Sequence, residues 1–234
     1  MLELLALGDT GWGDELLRGA GMTVIVAVLS FVTGVAIGMT GAGAKLSGSL
    51  LLRAVAEIYT TVARGVPELL IIYLFAFGLN PIAQNIAALV GYTERIDFDP
   101  FTIGVVAVAT ISGAYSTEVL RGAILTIPRG QIEAARAVGM HRWLVFRRIM
   151  LPQVMRFALP GLGNVWQLTL KDTALVSVIP LTELMRAAFR ASGSTREPFI
   201  FLLAAYALYL VMTSFSTVAF ERAERHFGRG VRRA

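Results

Sequence analysis

Long apolar runs separated by short charged stretches dominate this chain of 234 residues. A membrane helix needs about 20 mostly apolar residues to cross roughly 30 Å of hydrocarbon. Segments 19–39, 101–119, 157–180 and 199–220 meet that requirement. Segment 54–79 is interrupted by Glu57, Arg64, Pro67 and Glu68, and its clean run, 69–79, covers only about 16 Å alone. The pattern therefore predicts one broken or tilted span over all of 54–79. The link 80–100 carries Asn80-Pro81, Glu94, Asp97 and Asp99, and its apolar piece, 82–90, is too short to cross. The expected architecture is an all-α integral membrane protein with about five transmembrane helices. It has an N-terminal extracytoplasmic segment (1–18), a transmembrane domain (19–220) and a basic cytoplasmic tail (221–234).

Short cytoplasmic loops collect Lys and Arg, so the basic residues test this topology. Five spans with the N-terminus outside place fourteen basic residues inside and five outside, whereas removing the span at 54–79 gives thirteen against seven. The preferred topology has a periplasmic N-terminus and a cytoplasmic C-terminus. Composition agrees, with 56% hydrophobic and 16% charged residues, where a soluble domain has roughly a quarter charged. The net charge of +5 does not point to nucleic acid, because the basic residues flank apolar segments. Without cysteine there is no disulfide, thiol nucleophile or thiolate metal site. His141 and His226 each stand beside arginine, which disfavours a metal site. The first 17 residues carry Glu3, Asp9, Asp14 and Glu15, unlike the positive start of a cleavable signal, and are expected to lie along the outer membrane surface.

The strongest motif lies in the charged gap before 157. Glu133-Ala134-Ala135 is followed by Gly139 and then by Ile149, Leu151 and Pro152, fixing seven positions over twenty. Pro128, Arg129 and Gly130 punctuate the chain just before it, and proline suits a first helical turn. A short helix is predicted over 131–139, with Gly139 turning the chain and Pro152 opening the next membrane segment. Ala134, Ala135, Val138 and Gly139 offer small surfaces for close approach by another protein, and Glu133 accepts hydrogen bonds. The competing explanation is an amphipathic interfacial helix whose arginines face lipid phosphates. Residues 41–47, superficially like a phosphate loop, lack the Gly-Lys-Ser/Thr order and read as a polar turn.

The motif resembles the docking loop of ABC importer membrane subunits. Further blocks resemble the permeases of polar amino-acid importers, in the branch handling histidine, lysine, arginine and ornithine or the opines octopine and nopaline. These blocks are Gly41-Ala42-Gly43-Ala44-Lys45-Leu46-Ser47, Arg64-Gly65-Val66-Pro67-Glu68, Gly113-Ala114-Tyr115-Ser116-Thr117-Glu118, Leu170-Lys171-Asp172-Thr173-Ala174 and Gly193-Ser194-Thr195-Arg196-Glu197-Pro198. Many relatives carry serine where Ala174 stands. The resemblance implies a type I (MetI-like) importer permease fold and a coupling helix containing Glu133, Ala134, Ala135 and Gly139. It implies no catalysis and no cofactor in this chain, with ATP and Mg bound by a partner ATPase. The implied partners are a second permease subunit, different or identical, two ATPase subunits, a periplasmic substrate-binding protein and membrane lipid. A secondary transporter or channel using intramembrane charges is the alternative; five spans are few for a self-sufficient carrier. A membrane enzyme lacks any histidine–carboxylate cluster or nucleophile to build on.

Charges inside the bilayer are costly, roughly 2.5 to 3.5 kcal/mol each on insertion scales. Glu57, Glu118 and Asp172 are candidate ligands for a cationic substrate, with Asn164 and Gln167 supplying neutral hydrogen bonds. The competing explanation is that these groups lock helices together or sit at the membrane edge. Arg64 and Lys171 are expected to be structural, because a fixed cation in the path repels a cationic cargo. Lys171 and Asp172 point about 100° apart on a helix, so each is expected to find a partner elsewhere. Pro160, Gly161, Gly163 and Pro180 predict a bent fourth span.

Overall fold

The computed structural model describes residues 2–8, 11–92 and 94–228. Among these there are nine α-helices and no strand. They are α1 (Gly13–Leu46), α2 (Leu50–Gly65), α3 (Glu68–Leu89), α4 (Pro100–Leu125), α5 (Arg129–Ala137), α6 (Arg142–Val145), α7 (Leu151–Asp172), α8 (Leu184–Thr195) and α9 (Pro198–Phe227). Four of them, α1, α3, α4 and α9, are long and apolar enough to cross a membrane. The fifth expected crossing is represented by α7, equal in length to α3 at 22 residues but carrying Arg156, Lys171 and Asp172.

The bundle is built around α4, whose most apolar window is 67% buried, against 11% for α3 and for α9. Its main partner is α1, and the seam between them is lined by small residues. A Cβ on Gly34 would come 2.7 Å from the Ser112 Cβ, and one on Gly38 would come 2.5 Å from that of Ser116. Only glycine lets the two backbones approach so closely, the small-residue packing that replaces hydrophobic drive between helices in lipid. The Ser30 hydroxyl donates to the Val105 carbonyl, 3.2 Å, across the same seam. α3 and α9 leave Leu74, Phe77, Phe199 and Phe215 exposed, as faces destined for lipid or a partner subunit require.

Several boundaries differ from expectation. The single broken span at 54–79 is two separate helices, α2 and α3, parted at Val66-Pro67. Proline forces the preceding residue out of the helical region, and Val66 takes φ −104° and ψ 141°. α3 then runs through Asn80-Pro81 to Leu89, absorbing the apolar piece assigned to the link. The link folds back on it: the Phe98 amide donates to Asn80 Oδ1, 2.9 Å, and the Ile96 amide to Gln84 Oε1, 2.8 Å. Residues 41–46 are the helical end of α1 and not a turn, because Ala42 and Lys45 are buried in the bundle.

The predicted bend of the fourth span is displaced. α7 is α-helical through Pro160, where Gly161 serves contact instead: a Cβ there would lie 2.7 Å from Val119 Cγ1. The change comes at Thr173–Val178, which tightens to a 3-10 helix. At the N-terminus α1 begins at Gly13, six residues before the predicted span. Leu4, Leu5 and Trp12 pack against the cluster of Leu16, Leu184 and Phe201. The predicted tail starts within α9, and its residues 229–234 lie outside the described residues.

Candidate functional site: docking loop, ionic node and helix break

The loop expected to dock an ATPase forms a lobe at one end of the bundle. α5 occupies Arg129–Ala137, so the expected helix starts and stops two residues early. Ala135 is buried while Glu133, Ala134 and Val138 are exposed, so one alanine anchors the helix and the acid is presented outward. Gly139 lies beyond the helix at φ +82°, a conformation that glycine adopts without steric cost. There the Met140 amide bonds back to the Ala135 carbonyl, 3.1 Å. The chain returns through α6 and a π-turn at Phe146–Met150 into α7, with Pro152 in its first turn. Gln153 Nε2 donates to Gln131 Oε1, 2.6 Å, tying the start of α5 to the start of α7. Between them runs a groove of about 490 Å³ that includes Ala134, Val138 and Arg148.

An ionic node sits at the same end. The Lys45 ammonium, its side chain only 4% exposed, lies 2.8 Å from Glu57 and 2.5 Å from Glu118. Arg121 adds a 3.2 Å contact to the second Glu118 oxygen. Two of the carboxylates nominated for a cationic ligand are therefore held by cations of this chain. Two carboxylates, one from α2 and one from α4, satisfy a buried lysine that would otherwise be strongly penalised.

A second cluster forms where α2 ends and α3 begins. Glu68, in the first turn of α3, accepts from the Tyr115 hydroxyl at 3.4 Å. The Arg64 guanidinium sits 5.5 Å over the Tyr115 ring. Asp172, half-buried at the end of α7, lies within electrostatic reach of both Glu68 and Tyr115. Among the described residues neither Glu68 nor Asp172 makes an ion pair, and Lys171 makes none either. Lys171 is exposed, pointing away from the bundle this chain forms.

Asn164 and Gln167 are not brought to this cluster. Gln167 Nε2 donates to the Thr217 hydroxyl of α9, 3.3 Å, and both side chains line a small cleft of about 130 Å³ with Glu221 and Glu224. On α7 they share a stripe with Lys171, while Asp172 faces elsewhere.

Sequence reasoning missed three residues. Lys45 was hidden in the supposed turn, though a lone lysine ending a 26-residue stretch without charge was the available signal. Glu68 was noticed as an interruption and in a resemblance block, not as a site residue. Glu183 gave no signal: it is fully buried in the connection between α7 and α8 and caps α8 by accepting from the Met185 and Arg186 amides, 2.8 and 2.6 Å. Burial pushes its carboxyl up to about 7, prevailing over the amide and Thr23 hydroxyl bonds that favour the anion. Among the described residues there is no cluster of three or more His, Asp or Glu side chains fit to hold a metal ion.

Comparison with known proteins agrees with this geometry. Residues 32–233 match the family model of the binding-protein-dependent transport system inner membrane component. The nopaline transport system permease protein NocQ of Agrobacterium fabrum is 52% identical over 232 residues, covering 99% of this chain and 98% of that protein. The histidine/lysine/arginine/ornithine transport system permease protein HisQ of Escherichia coli is 44% identical over 224 residues, covering 96% and 98%. Among solved structures, an amino acid ABC transporter crystallised with histidines superposes with a TM-score of 0.76 at 32% identity, covering 92% of this chain and 95% of that one. The inward-facing MetNI methionine ABC transporter shares the fold, with a TM-score of 0.69 at 17% identity, covering 91% and 95%. The chain belongs to the family of binding-protein-dependent transport system inner membrane components, and it is a non-catalytic permease subunit of an ABC importer with the type I, MetI-like fold.

Proposed function

We propose that this permease carries a basic amino acid or an opine inward, and that the cargo's cationic group is met at the break between α2 and α3. The observation that carries this reading is the Glu68 carboxylate on the Tyr115 hydroxyl, with Asp172 within electrostatic reach and neither acid in an ion pair among the described residues. Unpaired acids in a membrane protein demand a counter-charge, and an ammonium or guanidinium group of the cargo supplies one. The sequence similarity to permeases of nopaline and of histidine, lysine, arginine and ornithine transport supports the same class. Glu57 and Glu118, held by Lys45, are better assigned to holding helices, and Asn164 and Gln167 to the α7–α9 contact.

In this reading α5 is the coupling helix. Glu133 and Ala134 engage a separate ATPase, which binds ATP and Mg, and Gly139 shapes the exit of the helix. Two such ATPases, a second permease subunit and a periplasmic binding protein complete the importer. The distribution of basic residues supports a periplasmic N-terminus and a cytoplasmic C-terminus in the bacterial inner membrane. The test is uptake by the reconstituted complex with competing solutes. Lysine, arginine, histidine, ornithine or an opine is expected to compete, and neutral or acidic amino acids are not. Competition by the latter alone overturns the cargo assignment.

A further inference from the structure

We infer that α2 is a hinged gate for the ligand site and that the Lys45–Glu57 ion pair is the releasable latch that holds it, a reading that rests on the site proposed above. The helix is delimited at both ends by breaks, Ser47-Gly48-Ser49 before it and Val66-Pro67 after it. Between them its buried residues, Ala56, Thr60 and Ala63, lie on one face. Between the helix and α1 runs an open groove of about 460 Å³ lined by Ile37, Gly41, Ala44, Val55 and Tyr59 among others. Small residues on the facing helix, Gly41 and Ala44, leave α2 room to tilt.

The polar ties that remain are unequal. The Tyr59 hydroxyl donates to the Thr110 carbonyl, 2.6 Å, near the middle of α4. At the docking-loop end, Glu57 reaches Lys45. Lys45 is also bound by Glu118, itself steadied by Arg121, so releasing Glu57 does not leave a buried ammonium unpaired. Glu57 itself is 65% exposed, against 22% for Glu118, so it is the less enclosed of the two carboxylates. The Lys45–Glu118 contact is thus the fixed half of the node and the Lys45–Glu57 contact the detachable half. Breaking a buried pair is costly mainly when it orphans a charge, and this arrangement avoids that.

The placement gives the latch its input and its output. Glu118 and Arg121 lie in the last two turns of α4, which leads through Thr126-Ile127-Pro128 into α5. A shift of α5 therefore acts on the anchor that holds Glu57. The opposite end of α2 carries Arg64 and, across the break, Glu68 of the ligand cluster. Lys45 and Glu57 are positioning residues: they touch no cargo and act by setting where α2 stands.

The test uses the whole transporter in nanodiscs, with ATPase, second permease and binding protein present. Glu57→Gln is expected to raise ATP hydrolysis without binding protein at least threefold and to lower uptake per ATP, while Glu57→Asp restores coupling; a merely structural residue would lower both rates together. Because the chain has no cysteine, Ala56→Cys reports the gate directly. Its labelling by a small methanethiosulfonate is expected to change at least threefold between the nucleotide-free and the vanadate-trapped complex. An unchanged coupling ratio in Glu57→Gln with equal labelling in both states overturns the latch. These readouts need only ATP hydrolysis and labelling, so transport of a non-cationic cargo would overturn the cargo assignment and leave the latch to be decided on its own measurements.

Discussion

Glu183 and Thr23 meet although 160 residues separate them, the Thr23 hydroxyl lying 3.4 Å from Glu183 Oε2 while it accepts from the Leu184 amide at 3.1 Å. This contact pins the start of α8 to α1, and Gly19 makes room for it: a Cβ there would come 2.9 Å from the Leu184 Cα. Arg186 secures the same connection by donating to the Ser177 and Ile179 carbonyls, 2.9 and 2.7 Å.

The raised carboxyl of Glu183 sets a pH dependence. Its folded value of about 7 exceeds the ordinary 4.5, so the folded state holds this proton more tightly than the unfolded state. The resulting stability is complete below about pH 4.5 and is lost as pH rises through about 7, a swing on the order of 3 kcal/mol. Glu183→Gln stays neutral and keeps an acceptor, so its melting temperature is expected to fall less than the wild type's between pH 5.5 and 8.5. Thermal unfolding of the detergent-solubilised complex across that range makes the comparison, and parallel pH profiles would remove Glu183 as the source.

The α1–α4 seam predicts a steric effect. Gly38→Val places side-chain atoms where Ser116 already sits, and overpacking of this kind costs about 1–3 kcal/mol. The expected result is a lower unfolding midpoint and reduced yield of assembled complex. Gly43→Val is the control, because open space surrounds that position.

At the helix break, Asp172→Asn and Glu68→Gln are each expected to raise the KM for a cationic cargo roughly tenfold, equal to about 1.4 kcal/mol. Assembly with the ATPase should be unaffected. Uptake kinetics together with size-exclusion profiles separate the two outcomes, and an unchanged KM in both variants counts against the site.

Gly139 predicts a coupling defect. Its φ of +82° costs an L side chain roughly 1–2 kcal/mol, so Gly139→Val should distort the exit from α5 and weaken ATPase retention on purification. Gly139→Asn, better tolerated in this region, should fall between that variant and the wild type.

The long apolar helices and the docking motif were legible because both are local patterns: a run of apolar residues, and seven fixed positions with proline and glycine at the turns. What escaped was set by contacts across the bundle. Lys45 looks like a loop lysine until α1 is seen to continue and Glu57 and Glu118 to converge on it. Asn80-Pro81 looks like a helix end, but the link returns to bond Asn80 and Gln84 and α3 continues. The Glu68–Asp172 approach joins residues more than a hundred positions apart, and spacing along one chain carries no record of it. Asn164 and Gln167 lie on the right helix for a path, yet helical phase turns them toward α9.

The account's central claim is that force from nucleotide turnover in a separate ATPase enters this permease through α5. Labelled arginine uptake into proteoliposomes tests it most directly, comparing the complete importer, the same importer with Glu133→Ala and Gly139→Val in this chain, and the permease pair alone. The account predicts ATP-dependent accumulation by the first, at least a tenfold loss in the second despite intact permease assembly, and none by the third. Accumulation by the permease pair without the ATPase, or full activity in the double variant, would contradict it.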